Sequence, residues 1–170
     1  MEDPGEGSMT SSIKLKVKQF ILLEECPEEW KKLDLYVIRD ESVVFSVGQS
    51  YVAFGRVWDH IKNGYKWRSD VGRFILCNWP RSMNYEIELL SSGSPEFEVV
   101  GNNLLRSEEM LIKLYKPCFN ISQNGDPSPI PAIYLPPSSE IRCSRSLRRL
   151  QYQAEQAIRN DQKKKWIEEL

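Results

Sequence analysis

The sequence is poor in the residues and motifs on which most enzymes and metalloproteins depend. It contains one histidine, His60, and four scattered cysteines with no Cys-x-x-Cys pair, so neither a zinc site nor a cysteine–histidine catalytic pair is indicated. The nucleophile motif Gly-x-Ser-x-Gly and the glycine-rich phosphate-binding loops are missing. These absences predict a non-enzymatic protein that needs no cofactor and no metal.

Long apolar runs are also missing. No stretch approaches the roughly 20 apolar residues that a membrane-spanning helix needs, and the chain does not open with a charged region followed by an apolar run. These features predict a cytoplasmic protein with no transmembrane segment. Apolar residues still make up 41% of the sequence, a share too high for a disordered chain, so a packed core is expected.

The pattern of residues divides the chain into four predicted segments. Residues 1–11 form a flexible acidic N-terminus, 12–124 an α+β core domain, 125–139 a proline-rich extended segment and 140–170 a basic C-terminal helix. The third segment contains five prolines, which lack the backbone N–H that a sheet requires. It is therefore predicted to run across the surface and is a candidate docking segment for a protein partner.

A central antiparallel sheet is predicted from apolar runs with a period of two. Ile13, Leu15 and Val17 alternate with lysines, which is typical of a strand with one buried face, and this strand is expected to continue through residues 20–23. The runs at 33–38 and 43–47 predict a hairpin. Further strands are predicted at 74–77, 85–90, 97–100 and 110–115.

One internal amphipathic helix is predicted over residues 50–64. Tyr51, Phe54, Trp58 and Ile61 recur at helical spacing, and Ser50 is placed to cap the first turn. Trp58 is therefore expected to be a buried structural residue. A glycine inside this helix, Gly55, predicts close packing against a neighbour.

A basic C-terminal helix is predicted over residues 144–170, which lack glycine and proline. Its candidate polyanion-binding residues are Arg142, Arg145, Arg148, Arg149, Arg159, Lys163, Lys164 and Lys165. Between residues 142 and 165 only Glu155 and Asp161 oppose them, whereas the whole chain has a net charge of −1. The helix is thus predicted to contact RNA phosphates or an anionic membrane surface, the alternative being a capping helix whose cations pair with acidic turns of the body.

A second basic cluster, interleaved with aromatic residues, follows the internal helix. It consists of Lys62, Tyr65, Lys66, Trp67, Arg68 and Arg73. Such a loop can contact phosphates and stack on bases. The alternative is a solvated loop whose aromatic side chains close the core.

A resemblance to a known family lies around the internal helix. The stretch from Tyr51 to Trp58-Asp59-His60, the basic aromatic loop and then Arg73-Phe74-Ile75-Leu76 resemble the Trp-Asp-His segment, loop and hydrophobic strand of rhabdovirus matrix proteins. This likeness implies a small α/β virion protein that self-associates and bridges the nucleocapsid to the inner membrane surface. Tyr134-Leu135-Pro136-Pro137 has the reverse order of the family's Pro-Pro-x-Tyr motif.

Three functions follow as hypotheses from the sequence. The leading one is a structural assembly protein of matrix type that self-associates as a homo-oligomer and binds RNA or anionic membrane. The second is a cytosolic adaptor that binds protein partners through its proline-rich segment and C-terminal helix. The third is a small enzyme built around His60.

Overall fold

A four-stranded antiparallel sheet organises the chain. The computed structural model describes residues 12–66, 68–120, 124–137 and 146–170. Its strands are β1 (Ser12–Lys16), β2 (Leu35–Asp40), β3 (Val43–Gln49) and β4 (Glu86–Leu90), in the order β1-β4-β2-β3. The α-helices are α1 (Val17–Phe20), α2 (Ala53–Gly64), α3 (Asp70–Cys77), α4 (Leu104–Tyr115) and α5 (Leu147–Glu168). The predicted α+β class, with an antiparallel sheet and a C-terminal helix, is confirmed.

Both faces of the sheet are covered because alternate residues of each strand point to opposite sides. Tyr36 and Ile38 of β2 join the larger apolar cluster, to which α2, α3 and α5 contribute. Leu35 and Val37 join a smaller cluster that includes Leu111 and other residues of α4. The β2–β3 hairpin therefore lies in the middle of a three-layer arrangement.

The helices α2 and α3 cross at very short range. A β-carbon on Gly64 of α2 would lie 2.7 Å from the backbone carbon of Gly72 in α3, which is closer than non-bonded carbon atoms approach. A side chain at either position would separate the two backbones, so glycine is required at this crossing. This close crossing places the end of α2 over the first turn of α3.

The helix α5 lies against the body through its first half. Leu150 and Ala154 are fully buried, and the amide of Gln151 donates to the carbonyl oxygen of Ile21 at 3.0 Å. The indole N–H of Trp79 donates to Gln153 at 2.9 Å. From Arg159 onward every residue of α5 is exposed, and beyond the contact of Asp161 with Lys18 the helix projects from the body.

Residues 124–137 of the proline-rich region contain neither helix nor strand. They are attached to the body by Tyr134, which is buried and donates to Asp40 at 2.6 Å. Asn78 exchanges two hydrogen bonds with the backbone of Leu135. The Arg81 guanidinium lies over the Tyr134 ring.

Four predicted strand segments are wrong. Residues 74–77 lie in α3 and 110–115 in α4, residues 97–100 belong to a 3-10 helix (Pro95–Val100), and the stretch 20–23 leaves α1 through a turn. Short apolar runs do not distinguish a buried strand from a buried helix. The deciding signals were the caps: Ser69 accepts from the Gly72 N–H at 3.0 Å, and Asn103 accepts from the Arg106 N–H at 3.0 Å. The prediction of a single internal helix is corrected accordingly.

The internal helix α2 also differs in detail from its prediction. It begins at Ala53, and Ser50 does not cap it; the Ser50 N–H instead donates to the Asp34 carbonyl. Tyr51 lies outside the helix and is 93% exposed. A β-carbon on Gly55 would meet no atom within 4 Å, so this glycine faces open space and not a neighbour.

Candidate functional site

The basic surface of α5 is the first candidate site. The predicted cations Arg148, Arg149, Arg159 and Lys163–Lys165 are all exposed, whereas Arg142 and Arg145 lie outside the described residues. Exposed cations on a projecting helix are accessible to a large anionic partner. The surface is referred to below as the basic face of α5.

Two acids of α5, Asp161 and Glu155, are already paired. Asp161 accepts from the ammonium of Lys18 on α1 at 2.5 Å, and this hydrogen bond holds the pKa of the Asp161 carboxyl below its usual range. Glu155 pairs with Arg159 at 2.6 Å. Within the described part of the chain, Lys163, Lys164 and Lys165 form no ion pair. No contact between these lysines and an acidic turn of the body therefore supports the alternative of a capping helix.

The helix geometry places Lys163 on the outward side of α5. Leu150, Ala154 and Asp161 contact the body. Tyr152 precedes Asp161 by nine residues, about two and a half turns, so it points away from the body. Lys163 follows Tyr152 by eleven residues, close to three turns, and therefore shares the outward side.

The second predicted cluster does not form one surface. Lys62 belongs to α2, where its ammonium lies 5.6 Å from the Trp58 ring centroid, and Lys66 and Arg68 are exposed in the turn that follows. Tyr65 is half-buried. Arg73 is 6% exposed inside α3, and Trp67 lies outside the described residues. Burial removes Arg73 from any surface that contacts phosphates.

A cleft between α2 and the start of α5 is the second candidate site, and sequence reasoning missed it. Its volume is about 450 Å³. It is lined by Glu24, Phe54, Gly55, Trp58, Asp59, Lys62, Leu147, Arg148 and Gln151. The absent side chain of Gly55 opens its wall, and the rim carries two carboxylates and two cations. This surface is referred to below as the α2–α5 cleft.

The prediction that Trp58 is buried is confirmed. The residue is 8% exposed, its ring lies 5.4 Å from that of Phe20, and its indole N–H donates to the Leu23 carbonyl at 3.0 Å. Trp58 thus joins α2 to the chain that follows α1. The edge that remains exposed borders the α2–α5 cleft.

His60 lies in a hydrogen-bonded chain of three side chains. Its Nε2 is 2.7 Å from the Tyr36 hydroxyl oxygen and its Nδ1 is 2.7 Å from Ser69 Oγ. These contacts connect β2, α2 and the cap of α3. His60 lies one turn before the end of α2 at Gly64. No residue of this trio lines the α2–α5 cleft.

Burial, together with the nearby Arg56 guanidinium and against an opposing effect of Asp59, lowers the pKa of His60 from 6.5 to about 4. The imidazole is therefore neutral at pH 7 and weakly basic. Ser69 Oγ is occupied by the cap of α3. A weak base beside a buried hydroxyl is suited to holding three elements together and poorly suited to activating a nucleophile.

We expect protonation of His60 to lower the free energy of unfolding by about 2 kcal/mol between pH 7 and pH 5. The imidazole pKa is about 4 in the folded protein and near 6.5 in the unfolded chain, so the unfolded state binds the proton first as the pH falls. The stability due to the neutral imidazole is complete above pH 6.5 and is lost as the pH falls toward 4. Urea unfolding at the two pH values measures the loss.

The control for this experiment is the variant His60→Gln, which removes the only imidazole of the chain and keeps a polar side chain. Carboxylates such as Glu108, whose pKa burial raises, titrate in both proteins, so the difference between them isolates His60. Equal pH dependence in the two proteins would contradict a buried neutral histidine.

The described residues lack a membrane-spanning helix and a metal-binding cluster. None of the described helices is long and apolar enough to cross a membrane. Across the same residues, no group of three or more histidine, cysteine or acidic side chains is arranged to hold a metal ion.

The fold and its two surfaces define an α+β protein with a projecting basic helix and a lateral cleft. No known protein family, curated protein or solved structure matches this chain. The segment compared with the hydrophobic strand of matrix proteins, Arg73 to Leu76, is helical here.

Proposed function

We propose that this chain is a non-enzymatic assembly protein of matrix type, which self-associates and attaches to phosphate-bearing surfaces through the basic face of α5. The observation that carries the proposal is that Lys163, Lys164 and Lys165 are exposed and form no ion pair among the described residues. RNA and anionic lipid present the same phosphate chemistry to such a face. The sequence resemblance at Trp58-Asp59-His60 favours the same class, whereas the segment from Arg73 to Leu76 does not, because it is helical.

The arrangement of α5 supports attachment by its distal half. The proximal half is held by Leu150 and Ala154 in the core, and the Asp161–Lys18 ion pair ties the helix to the body further along. The distal half is thereby presented as a rigid rod, and little conformational entropy is lost when its cations meet a phosphate array.

We expect the protein to bind single-stranded RNA or anionic vesicles with an affinity that falls as salt rises. If about four cations each neutralise one RNA phosphate, log affinity should fall with log salt at a slope near −3. Changing Lys163, Lys164 and Lys165 to Gln should flatten the slope to about −1, because glutamine preserves helix propensity and removes the charge. Fluorescence titration of labelled RNA, with phosphatidylserine vesicles in a parallel arm, measures both affinities.

The control replaces three exposed lysines on other elements, Lys31, Lys32 and Lys113, with Gln. Both triple variants lose the same number of positive charges, so an effect of total charge on binding would appear in both. Deletion of α5 is a poorer test because it would also remove Leu150 and Ala154 from the core. Equal salt slopes for the two triple variants, or negligible binding by the wild-type chain, would contradict the proposal that the protein attaches through α5.

A cytosolic adaptor is the second candidate. It is favoured by Ile133 and Leu135, which are 64% and 49% exposed on either side of the anchored Tyr134. Such a rigid pair of apolar side chains can take part in a protein contact. Size-exclusion chromatography at several salt concentrations separates the candidates: an adaptor stays small, whereas an assembly protein forms larger species at low salt.

A further inference from the structure

The tip of α5, residues 163–170, carries apolar side chains that the body does not cover. Trp166, Ile167 and Leu170 are 62%, 54% and 87% exposed. Large aromatic and aliphatic side chains clustered at the end of a projecting helix are unusual on a solvated surface and indicate a contact with another molecule. Lysines precede this cluster and Glu168 and Glu169 adjoin it, so the tip carries both signs of charge.

The α2–α5 cleft has complementary features. Phe54 and Trp58 line its wall with the small part of each side chain that is exposed, 4% and 8%, Lys62 and Arg148 provide cations, and Glu24 provides a carboxylate. Its volume of about 450 Å³ lies within the ~300–1,000 Å³ of sites that enclose a small organic group. An indole and a neighbouring aliphatic side chain therefore fit in size.

The tip cannot enter the cleft of its own chain. Arg148, in the first turn of α5, borders the cleft. Trp166 follows it by 18 residues on the same helix, which places the two positions about 27 Å apart at 1.5 Å per residue. Only another molecule can bring a matching tip to this cleft.

We propose that the α2–α5 cleft receives the α5 tip of a second copy of this chain, in a head-to-tail contact. Trp166 and Ile167 of one copy pack against Phe54 and Trp58 of the next. Glu168 and Glu169 meet Lys62 and Arg148. Because two different surfaces are joined, each copy keeps one free tip and one free cleft, and the contact generates rings or open filaments instead of a closed two-fold dimer. The inference rests on the proposed assembly function and specifies the surfaces that perform it.

Two variants of the full chain block the contact from opposite sides. The tip variant, Trp166→Ser with Ile167→Ser, removes the apolar side chains, which are exposed in the monomer and contribute little to its stability. The cleft variant, Gly55→Gln, fills the opening, since no atom lies within 4 Å of a β-carbon at this position. Circular dichroism and thermal melting verify that both variants fold.

Sedimentation velocity across a range of protein concentrations tests the proposal. The wild-type chain should form species larger than a dimer, and each variant alone should sediment as a monomer. An equimolar mixture of the variants should form a dimer and stop there, because the intact tip of the cleft variant meets the intact cleft of the tip variant. Wild-type chain that stays monomeric, variants that assemble normally, or a mixture that stays monomeric would each overturn the proposal.

Anion binding separates this inference from the proposed function. The tip variant retains Lys163, Lys164 and Lys165, so its RNA or vesicle titration should keep a salt slope near −3. Loss of assembly with anion binding intact leaves attachment through α5 standing. Assembly without any anion binding retains the tip-in-cleft contact and removes the attachment.

Discussion

Replacing Trp58 with alanine is expected to lower the free energy of unfolding by about 3–5 kcal/mol, as for other buried large aromatic residues. The side chain is 8% exposed and packs on Phe20 in the core that α1 and α2 share. The substitution leaves a cavity and also removes the indole donor from the Leu23 carbonyl oxygen. Urea unfolding monitored by far-ultraviolet circular dichroism measures the loss.

Trp166→Ala is the matched control, because it removes the same side chain from a site that is 62% exposed. Its effect on the monomer should stay within about 0.5 kcal/mol. Comparison at a protein concentration below that of assembly keeps intermolecular contacts out of the measurement. Similar losses for the two tryptophan variants would contradict the placement of Trp58 in the core.

Gly72→Ala is expected to destabilise the protein by about 3 kcal/mol or more, at the upper end of overpacking effects. The new β-carbon would overlap the backbone carbonyl oxygen of His60 and lie 3.1 Å from Ser69 Oγ. Both atoms are held in place, the first by α2 and the second by its hydrogen bonds to His60 and the Gly72 N–H. Relief therefore requires α2 and α3 to move apart.

Gly55→Ala provides the opposite expectation within the same pair of helices. No atom lies within 4 Å of its β-carbon position, and alanine favours a helix over glycine by up to about 1 kcal/mol. The variant should be slightly more stable than the wild-type chain in urea unfolding. A neutral or stabilising Gly72→Ala would show that the two backbones do not cross so closely.

Local patterns in the sequence were sufficient for part of the fold. The alternation of Ile13 and Leu15 with lysines gave β1, and the β-branched runs gave the β2–β3 hairpin, because burial of one face imposes a period of two on a strand. The helical spacing of Phe54, Trp58 and Ile61 gave α2 and the burial of Trp58. Where a periodic pattern extended over several residues in this way, the predicted type of secondary structure, strand or helix, was correct.

Short apolar runs were not sufficient. Ile75 and Leu76 lie in a segment with both strand and helix character, and its state depends on the cap at Ser69 and on close contact with α2. The exposed face of Gly55 was likewise misjudged, since a glycine within a helical pattern does not reveal whether a neighbour or open space adjoins it. Such positions are decided by what lies across the interface, which the local sequence does not encode.

Some features of the candidate sites were likewise predictable from the sequence, and others depended on tertiary structure. The cations of α5 were predicted from the sequence alone, because charge and helix propensity belong to single residues and their near neighbours. The α2–α5 cleft, the Tyr36–His60–Ser69 chain and the pairing of Asp161 with Lys18 were decided only by tertiary structure, because each joins side chains far apart along the chain. The sequence by itself determined the fold class and the charge of the projecting helix; the packing of α2 against α3 and α5 decided which residues meet, since distances between remote segments depend on the folded core.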